Sequence, residues 1–447
     1  MRHSVDHPPS PPTRRVILQG AAWAVPAVIL VASTPAFAAS GRTLSFSSTS
    51  YTGTSCGTIT TAVVRATDGS TAEAGVSVVL QLSTGWTFDG GGTTATVVTG
   101  SDGSVSCGTI HVPAGNTTGT LSATASGATG ASASLTSSDA QILTSPSGLA
   151  DASGIPGGAT PIAQGFFLSG VTLYLSGTGS VATGIDSVGR LVEAASKSGS
   201  FLLPMRRSDG SAAIYDTSTG AVTTATGTPS GSTPLAADLF RSGNTIYRGG
   251  TAITTDVDRA GQLIEHDGGN GSSGTFYLPY LSTAGEPRIL RLPQNDVRTA
   301  SEYGASNGPG SGATPIADDL FLWHDDIYRV SWDGTSAYGT GVVASGVSAF
   351  GSLTPNPYYS GERLLPVTRN GSGQNALFMV SGNSLRDTSQ VPTSSTPIGA
   401  DLFLSNGAIY QDAVGVVAST VASNGIAAPA SYGSNKVVVP LTVSASC

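Results

Sequence analysis

"STPIGADLFLSNGAIYQ" (Ser395–Gln411) recurs without gaps as "ATPIADDLFLWHDDIYR" from Ala313, "STPLAADLFRSGNTIYR" from Ser232 and "ATPIAQGFFLSGVTLYL" from Ala159. The Thr-Pro pairs begin at Thr160, Thr233, Thr314 and Thr396, spaced by 73, 81 and 82 residues. A Phe follows at the seventh position after each Thr (Phe167, Phe240, Phe321, Phe403) and a Tyr at the fourteenth (Tyr174, Tyr247, Tyr328, Tyr410). Fixed offsets of this kind mark an internal repeat, and a repeat decides the architecture before other signals do.

Each unit has a second half. An apolar run ending in Pro follows the Thr by 44 to 52 residues, at Pro204, Pro279, Pro366 and Pro440. In three units a further strand pattern comes next, "AAIYD", "RILRL" and "ALFMV"; in the fourth the chain ends first. The same pattern stands ahead of the first unit, as "AQILTSPSGLADASG" (Ala140–Gly154). Splitting one unit between two ends makes sense in a closed ring, where pairing the termini removes exposed sheet edges. Each half is about 40 residues, the length of a propeller blade. The expectation is an all-β chain with an eight-bladed β-propeller over residues 140–447; seven blades, or four wider ones, are the other counts the spacing allows.

Composition agrees with an all-β class. The chain has 447 residues, 59 of them Gly, only 11% charged, and Lys at Lys197 and Lys436 alone. The formal charge of −8 disfavours nucleic acid or an anionic membrane as partner. Ahead of the repeats, residues 41–139 alternate apolar with polar residues between Gly and Asp-Gly turns, in "TITTAVVRATDG" (Thr58–Gly69), "GVSVVLQLS" (Gly75–Ser83) and "GTLSATASG" (Gly119–Gly127), the pattern of an antiparallel β-sandwich.

Two resemblances follow. "TRRVILQ" (Thr13–Gln19), the apolar segment Val16–Val31 and "AFA" (Ala36–Ala38) resemble a bacterial twin-arginine (Tat) export signal over residues 1–38. The resemblance implies export of an already folded, secreted or cell-surface protein, and no second apolar run of about 18 residues follows to span a membrane. The order "VRATDG" (Val64–Gly69), "GVSV" (Gly75–Val78), "SDGS" (Ser101–Ser104), "GTLSATA" (Gly119–Ala125) resembles the immunoglobulin-like modules of bacterial adhesin and invasin-type surface proteins. In an exported chain Cys56 and Cys107, each within "SCGT", read as a disulfide closing a loop of about 50 residues, a contribution of about 4 kcal/mol in the chain-entropy model. Cys447 is left over as a free thiol or an intermolecular bridge.

Most repeated residues read as structure. Phe and Tyr at constant offsets suit packing between blades. Asp238, Asp319 and Asp401, with Gly165 in the first unit, precede a strand where a short acceptor can bond turn amides. The departure from the repeat is the third unit, where the hairpin tip carries Trp323, His324, Asp325 and Asp326, with Trp332 and Asp333 close behind. A turn normally asks for Gly or Asn; aromatic and ionisable groups there have the composition of a sugar, peptide or metal contact, and these are the candidate binding residues. "YLSTAGEPR" (Tyr280–Arg288) is a second candidate.

No catalytic residue can be assigned. The exported part has only His111, His266 and His324, dispersed along the chain, and "GTSCG" (Gly53–Gly57) matches G-x-S-x-G without a following helix. There is no DxDxDG loop and no dinucleotide fingerprint, so no cofactor is expected. The tryptophan-bearing blade repeats of eight-bladed quinoprotein dehydrogenases are missing as well. The expected function is extracytoplasmic binding or adhesion, with a glycan or protein as partner. The alternative is a secreted polysaccharide hydrolase or lyase, its carboxylates brought to the propeller channel by separate blades.

Overall fold

The computed structural model describes residues 41–114, 117–193, 200–266, 275–299, 308–330, 341–431 and 434–444. The export segment, Trp332, Asp333 and Cys447 lie outside these described residues. Every regular element among them is a strand.

Residues 42–138 form a five-stranded sheet, in spatial order Ser50–Thr54, Ala131–Ser138, Thr118–Thr124, Ser77–Leu82 and Thr94–Val98, together with a four-stranded sheet around Val63–Asp68 and a small three-stranded ribbon. The alternation seen in the sequence sets their faces: in Ser77–Leu82 exposed and buried residues alternate strictly. Val64, Val78, Leu80, Trp86, Ile110, Leu121 and Leu135 meet in one core.

The expected Cys56–Cys107 disulfide is not formed. Cys107 is a free thiol buried in the sandwich core, and burial pushes its pKa up to about 11. Cys56 is exposed in the turn after Ser50–Thr54, on the five-stranded sheet, and is disulfide-bonded elsewhere. Neither Cys lies in a strand: Cys56 is exposed in the turn before Thr58–Ile59 and Cys107 is buried ahead of Ile110–His111, so equal local sequence did not mean facing positions.

From Ala140 onward the described strands form eight sheets, here sheets 1 to 8: 160–183, 185–224, 233–254, 257–299, 314–344, 347–387, 396–418, and 421–443 joined by 140–151. In sheet 8, Ala140–Ser145 pairs antiparallel with Val437–Val443, in a register that sets Leu143 opposite Val439. Gly148–Asp151 forms its outer edge. The N-terminal strands therefore complete the sheet begun by the C-terminal ones.

Buried clusters join each sheet to the next. Sheets 1 and 2, 3 and 4, 5 and 6, and 7 and 8 share the larger cores. The remaining joints are made by the repeated Phe: Phe167 packs on Ala140 and Ala152 of sheet 8, Phe240 on Ala212 of sheet 2, Phe321 on Ile289 of sheet 4, and Phe403 on Leu377 of sheet 6. All four are buried, and each repeated Tyr stands directly opposite its Phe on the neighbouring strand. The circuit of contacts is closed.

The Thr-Pro landmark also has a cause. Pro161, Pro234, Pro315 and Pro397 lie in the edge strand of their sheets, where a residue without an N–H is tolerated, and the register shifts just after each of them. The second set of prolines differs from the sequence reading. Pro204, Pro279, Pro366 and Pro440 do not end their strands but sit within Phe201–Arg207, Phe276–Ser282, Arg363–Arg369 and Val437–Val443.

Candidate functional site

Those four prolines face breaks in the strand beside them, and the breaks build the centre of the molecule. The facing segments are Gly189-Arg190-Leu191-Val192-Glu193, Gly261-Gln262-Leu263-Ile264-Glu265, Gly351-Ser352-Leu353-Thr354-Pro355 and Gly425-Ile426-Ala427-Ala428-Pro429. Each Gly N–H donates to the carbonyl of its Pro at 2.8, 2.8, 2.9 and 2.8 Å. The next N–H donates across to the adjoining sheet, to Leu235, Ile316, Ile398 and Ile162 carbonyls at 2.7, 2.7, 2.8 and 2.7 Å. A Cβ on any of these glycines would lie 2.5 to 2.8 Å from that neighbouring backbone carbonyl group, so only Gly permits the approach.

The segments enclose a pocket of about 320 Å³, and the edge strands beneath them line an axial cavity of about 580 Å³. The pocket has two unlike walls. Sheets 2 and 4 contribute Arg190, Glu193 and Glu265 among apolar side chains that include Val192, Phe201 and Phe276; sheet 8 and part of sheet 6 contribute Pro355, Ala427, Ala428 and Pro429. A loop from sheet 6 adds Ser360, Gly361, Glu362 and Arg363 at the rim, and just before them Tyr358 and Tyr359 stand exposed, Tyr359 by 70%. Gln262 is consumed by structure: its amide donates to the Leu353 carbonyl at 2.9 Å and accepts from the Leu353 N–H at 3.1 Å.

Behind this wall lies a buried polar cluster. Arg363 pairs with Asp318 at 3.5 Å, Asp318 meets His266 Nδ1 at 2.6 Å, and the His266 ring stacks on Tyr277 at 4.0 Å. The adjacent Asp319, 1% exposed, accepts from Arg329 Nε at 3.2 Å. The repeated Asp thus serves a side chain ten residues on: Asp238 holds Arg248, Asp319 holds Arg329, and Asp401 accepts from Gln411 as well as from Tyr358 and Ser145. The first repeat has Gly165 and Leu175 at the two positions and needs neither partner.

Burial, and then the charge of Asp318, push the Asp319 carboxyl up to about 6. For His266 burial opposes the imidazolium, but the hydrogen bond and charge of Asp318, with Asp319, outweigh it and raise the pKa. Both folded-state values lie above the unfolded ones, so both groups contribute stability at low pH that is lost as pH rises through the folded values. Melting temperature is expected to fall from about pH 5 to pH 8, and H266Q to flatten the upper part of that slope. Asp256, held low by the Thr283 hydroxyl, and Asp296, held low by Arg291, act oppositely but only below about pH 4. A wild-type melting temperature that rises between pH 5 and pH 8 would contradict this account.

Of the residues singled out from the sequence, those among the described residues do not line the central pocket. His324 and Asp325 form a two-residue hairpin tip with φ of 48° and 65°, the left-handed pair that Asn-Gly normally supplies. The Trp323 ring covers Gly310, stacks on His324 at 4.2 Å and meets Tyr328 edge-on. Asp325 is tied to sheet 6, accepting from the Asn370 amide at 2.5 Å and from the Val347 N–H through its own carbonyl at 2.6 Å. Asp326 is the first strand residue after the tip, opposite Trp323. In the second candidate segment Tyr280 is fully buried and Arg288 pairs with Asp256 and Glu286.

The pocket residues were missed, although a signal existed. A Gly stands 15, 18, 15 and 15 residues before the second-half Pro of the four units, as regular as the landmarks that were used. Among the described residues no three His, Cys, Asp or Glu side chains are grouped to hold a metal ion.

No family model matches the chain, and no curated protein matches it. Among solved structures it is similar to an auxiliary nutrient binding protein from Bacteroides thetaiotaomicron (11% identity, 89% of this chain and 97% of that one, TM-score 0.32). It is also similar to a quinonprotein alcohol dehydrogenase-like protein of the same organism (12%, 76% and 93%, TM-score 0.29). A third is TolB from Acinetobacter baumannii (14%, 53% and 65%, TM-score 0.27).

Proposed function

We propose that this chain is an exported, extracytoplasmic binding protein, in which an immunoglobulin-like sandwich (residues 41–139) presents an eight-bladed β-propeller (residues 140–447) whose central pocket takes an extracellular glycan. Export by the twin-arginine route rests on the leader at residues 1–38. The observation that carries the binding reading is the two-walled pocket. One wall sets Arg190, Glu193 and Glu265 among apolar side chains such as Val192 and Phe276, and the other presents Pro355, Ala427, Ala428 and Pro429 with no charged group among them. A sugar ring has the same division, with hydroxyls at its edge and C–H groups on its face, and the volume sits at the lower end for small-ligand sites. Tyr359 at the rim offers an exposed aromatic face for a following unit.

Glycan-array screening of the full chain, followed by calorimetric titration, tests the reading. Binding that weakens by about fivefold to tenfold in Y359A, with unchanged melting, is the expected result. Release of sugar products that stops on replacing Glu265 would replace binding with hydrolysis; capture of peptides and of no glycan would replace the ligand.

A further inference from the structure

Five ionisable side chains line the central pocket, and four of them are engaged. Arg363 pairs with Asp318, and Glu362 accepts from Ser381 through both its N–H and its hydroxyl. Glu193 and Glu265 also have partners. Glu193 Oε1 and the Nη1 atoms of Arg190 and Arg363 are all buried without a hydrogen bond, but Arg363 has its ion pair to Asp318, whereas among the described residues no carboxylate or carbonyl engages the Arg190 guanidinium. It lines both the pocket and the axial cavity, so it stands at the floor between the two.

The repeat shows what an ordinary residue does at this position. Gln262, one unit later, uses its amide to bridge the Leu353 backbone. A guanidinium has five donors and no acceptor, so Arg190 cannot reproduce that two-way bridge. Burial lowers its pKa, and no neighbouring charge offsets the effect. Arg190 is half-buried, and a partly desolvated cation without a partner gains from an anion; the planar fork of Arg matches an oxyanion such as a carboxylate through two parallel hydrogen bonds.

The geometry points to an acidic sugar as the ligand: Arg190 receives the carboxylate of a uronic acid unit while the ring lies against the Pro355 and Ala427–Pro429 wall. This rests on the glycan-binding reading above and narrows it to one chemical class.

The test is calorimetric titration of the full chain with trigalacturonate and with a glucuronate-terminated disaccharide, each beside its methyl ester, on wild type, R190Q and R190K. The acids are expected to bind at least about tenfold more tightly than the esters, with an affinity that falls as salt is added, and R190Q to abolish the difference. R190Q should melt at the same or a higher temperature, because it removes an unpaired charge. Equal binding of acid and ester, unaffected by R190Q, would overturn the inference and leave glycan binding standing. A lower melting temperature for R190Q would overturn it too, by revealing a structural partner for the guanidinium. Arg190-dependent binding of peptide carboxylates without uronates would overturn the assignment to a sugar. Absence of any sugar binding would overturn both readings.

Discussion

Replacing residues 140–150 by a Gly-Ser linker of equal length is expected to lower the melting temperature by more than about 10 °C, or to prevent folding of the repeat domain. The linker keeps the connection to sheet 1 but removes the strand Ala140–Ser145 from its six-residue register with Val437–Val443. That leaves Val439 and Leu441 facing a lost Leu143, and it uncovers the Phe167 face where Ala140 packs. Losing one buried Leu costs about 2–5 kcal/mol, and the unpaired edge of Val437–Val443 adds to it and invites association with other chains. L143D should approach the same result by burying a charge, whereas L149S, at an exposed position, should not. Unchanged melting of the linker variant would mean that the terminal pairing does not hold the circuit together.

The second large effect concerns the ion pair of the third repeat. R329L is expected to cost about 3–5 kcal/mol at pH 7.5, since it leaves Asp319, 1% exposed and beside Asp318, without its cation. It also removes the bonds from Arg329 Nη1 to the Val380 carbonyl and Asn383. The first repeat carries Gly165 and Leu175 at these positions, so the double variant D319G/R329L should recover much of the loss. Arg329 lowers the Asp319 pKa, so its removal raises the carboxyl above the value of about 6 it has in the wild type, and the penalty of R329L should shrink as the pH falls and the carboxyl takes up a proton. Chemical denaturation of both variants at pH 5 and pH 7.5 measures both effects. A double variant no more stable than R329L would show that the fold holds Asp319 by other means.

Much of the fold was legible because its physics is periodic. A residue type repeated at offset seven or fourteen does the same packing job in each copy, so the sequence alone marks Phe167, Phe240, Phe321 and Phe403 as packing residues. Where meaning depended on what faces a residue, sequence reasoning went astray. Cys56 and Cys107 share a tetrapeptide, but Cys56 is exposed in a turn while Cys107 is buried in the core. Asp319 stands beside a turn, but its partner is Arg329 on the adjacent strand. The "WHDD" tip departs from the repeat in composition, but His324 and Asp325 adopt the same left-handed turn that Asn406 and Gly407 adopt in the fourth copy.

The amino-acid order alone determined the phase of the repeat, the strand alternation and the unit split between Ala140–Gly154 and the C-terminus. Each is set by short-range pattern and by the need to bury one face. The tertiary structure alone decided the site. Arg190, Glu265, Pro355 and Pro429 are unremarkable where they stand, and they become two walls of one pocket only when four sheets converge on an axis. The state of Arg190 depends on that convergence as well, since whether a guanidinium is paired is a property of the side chains around it.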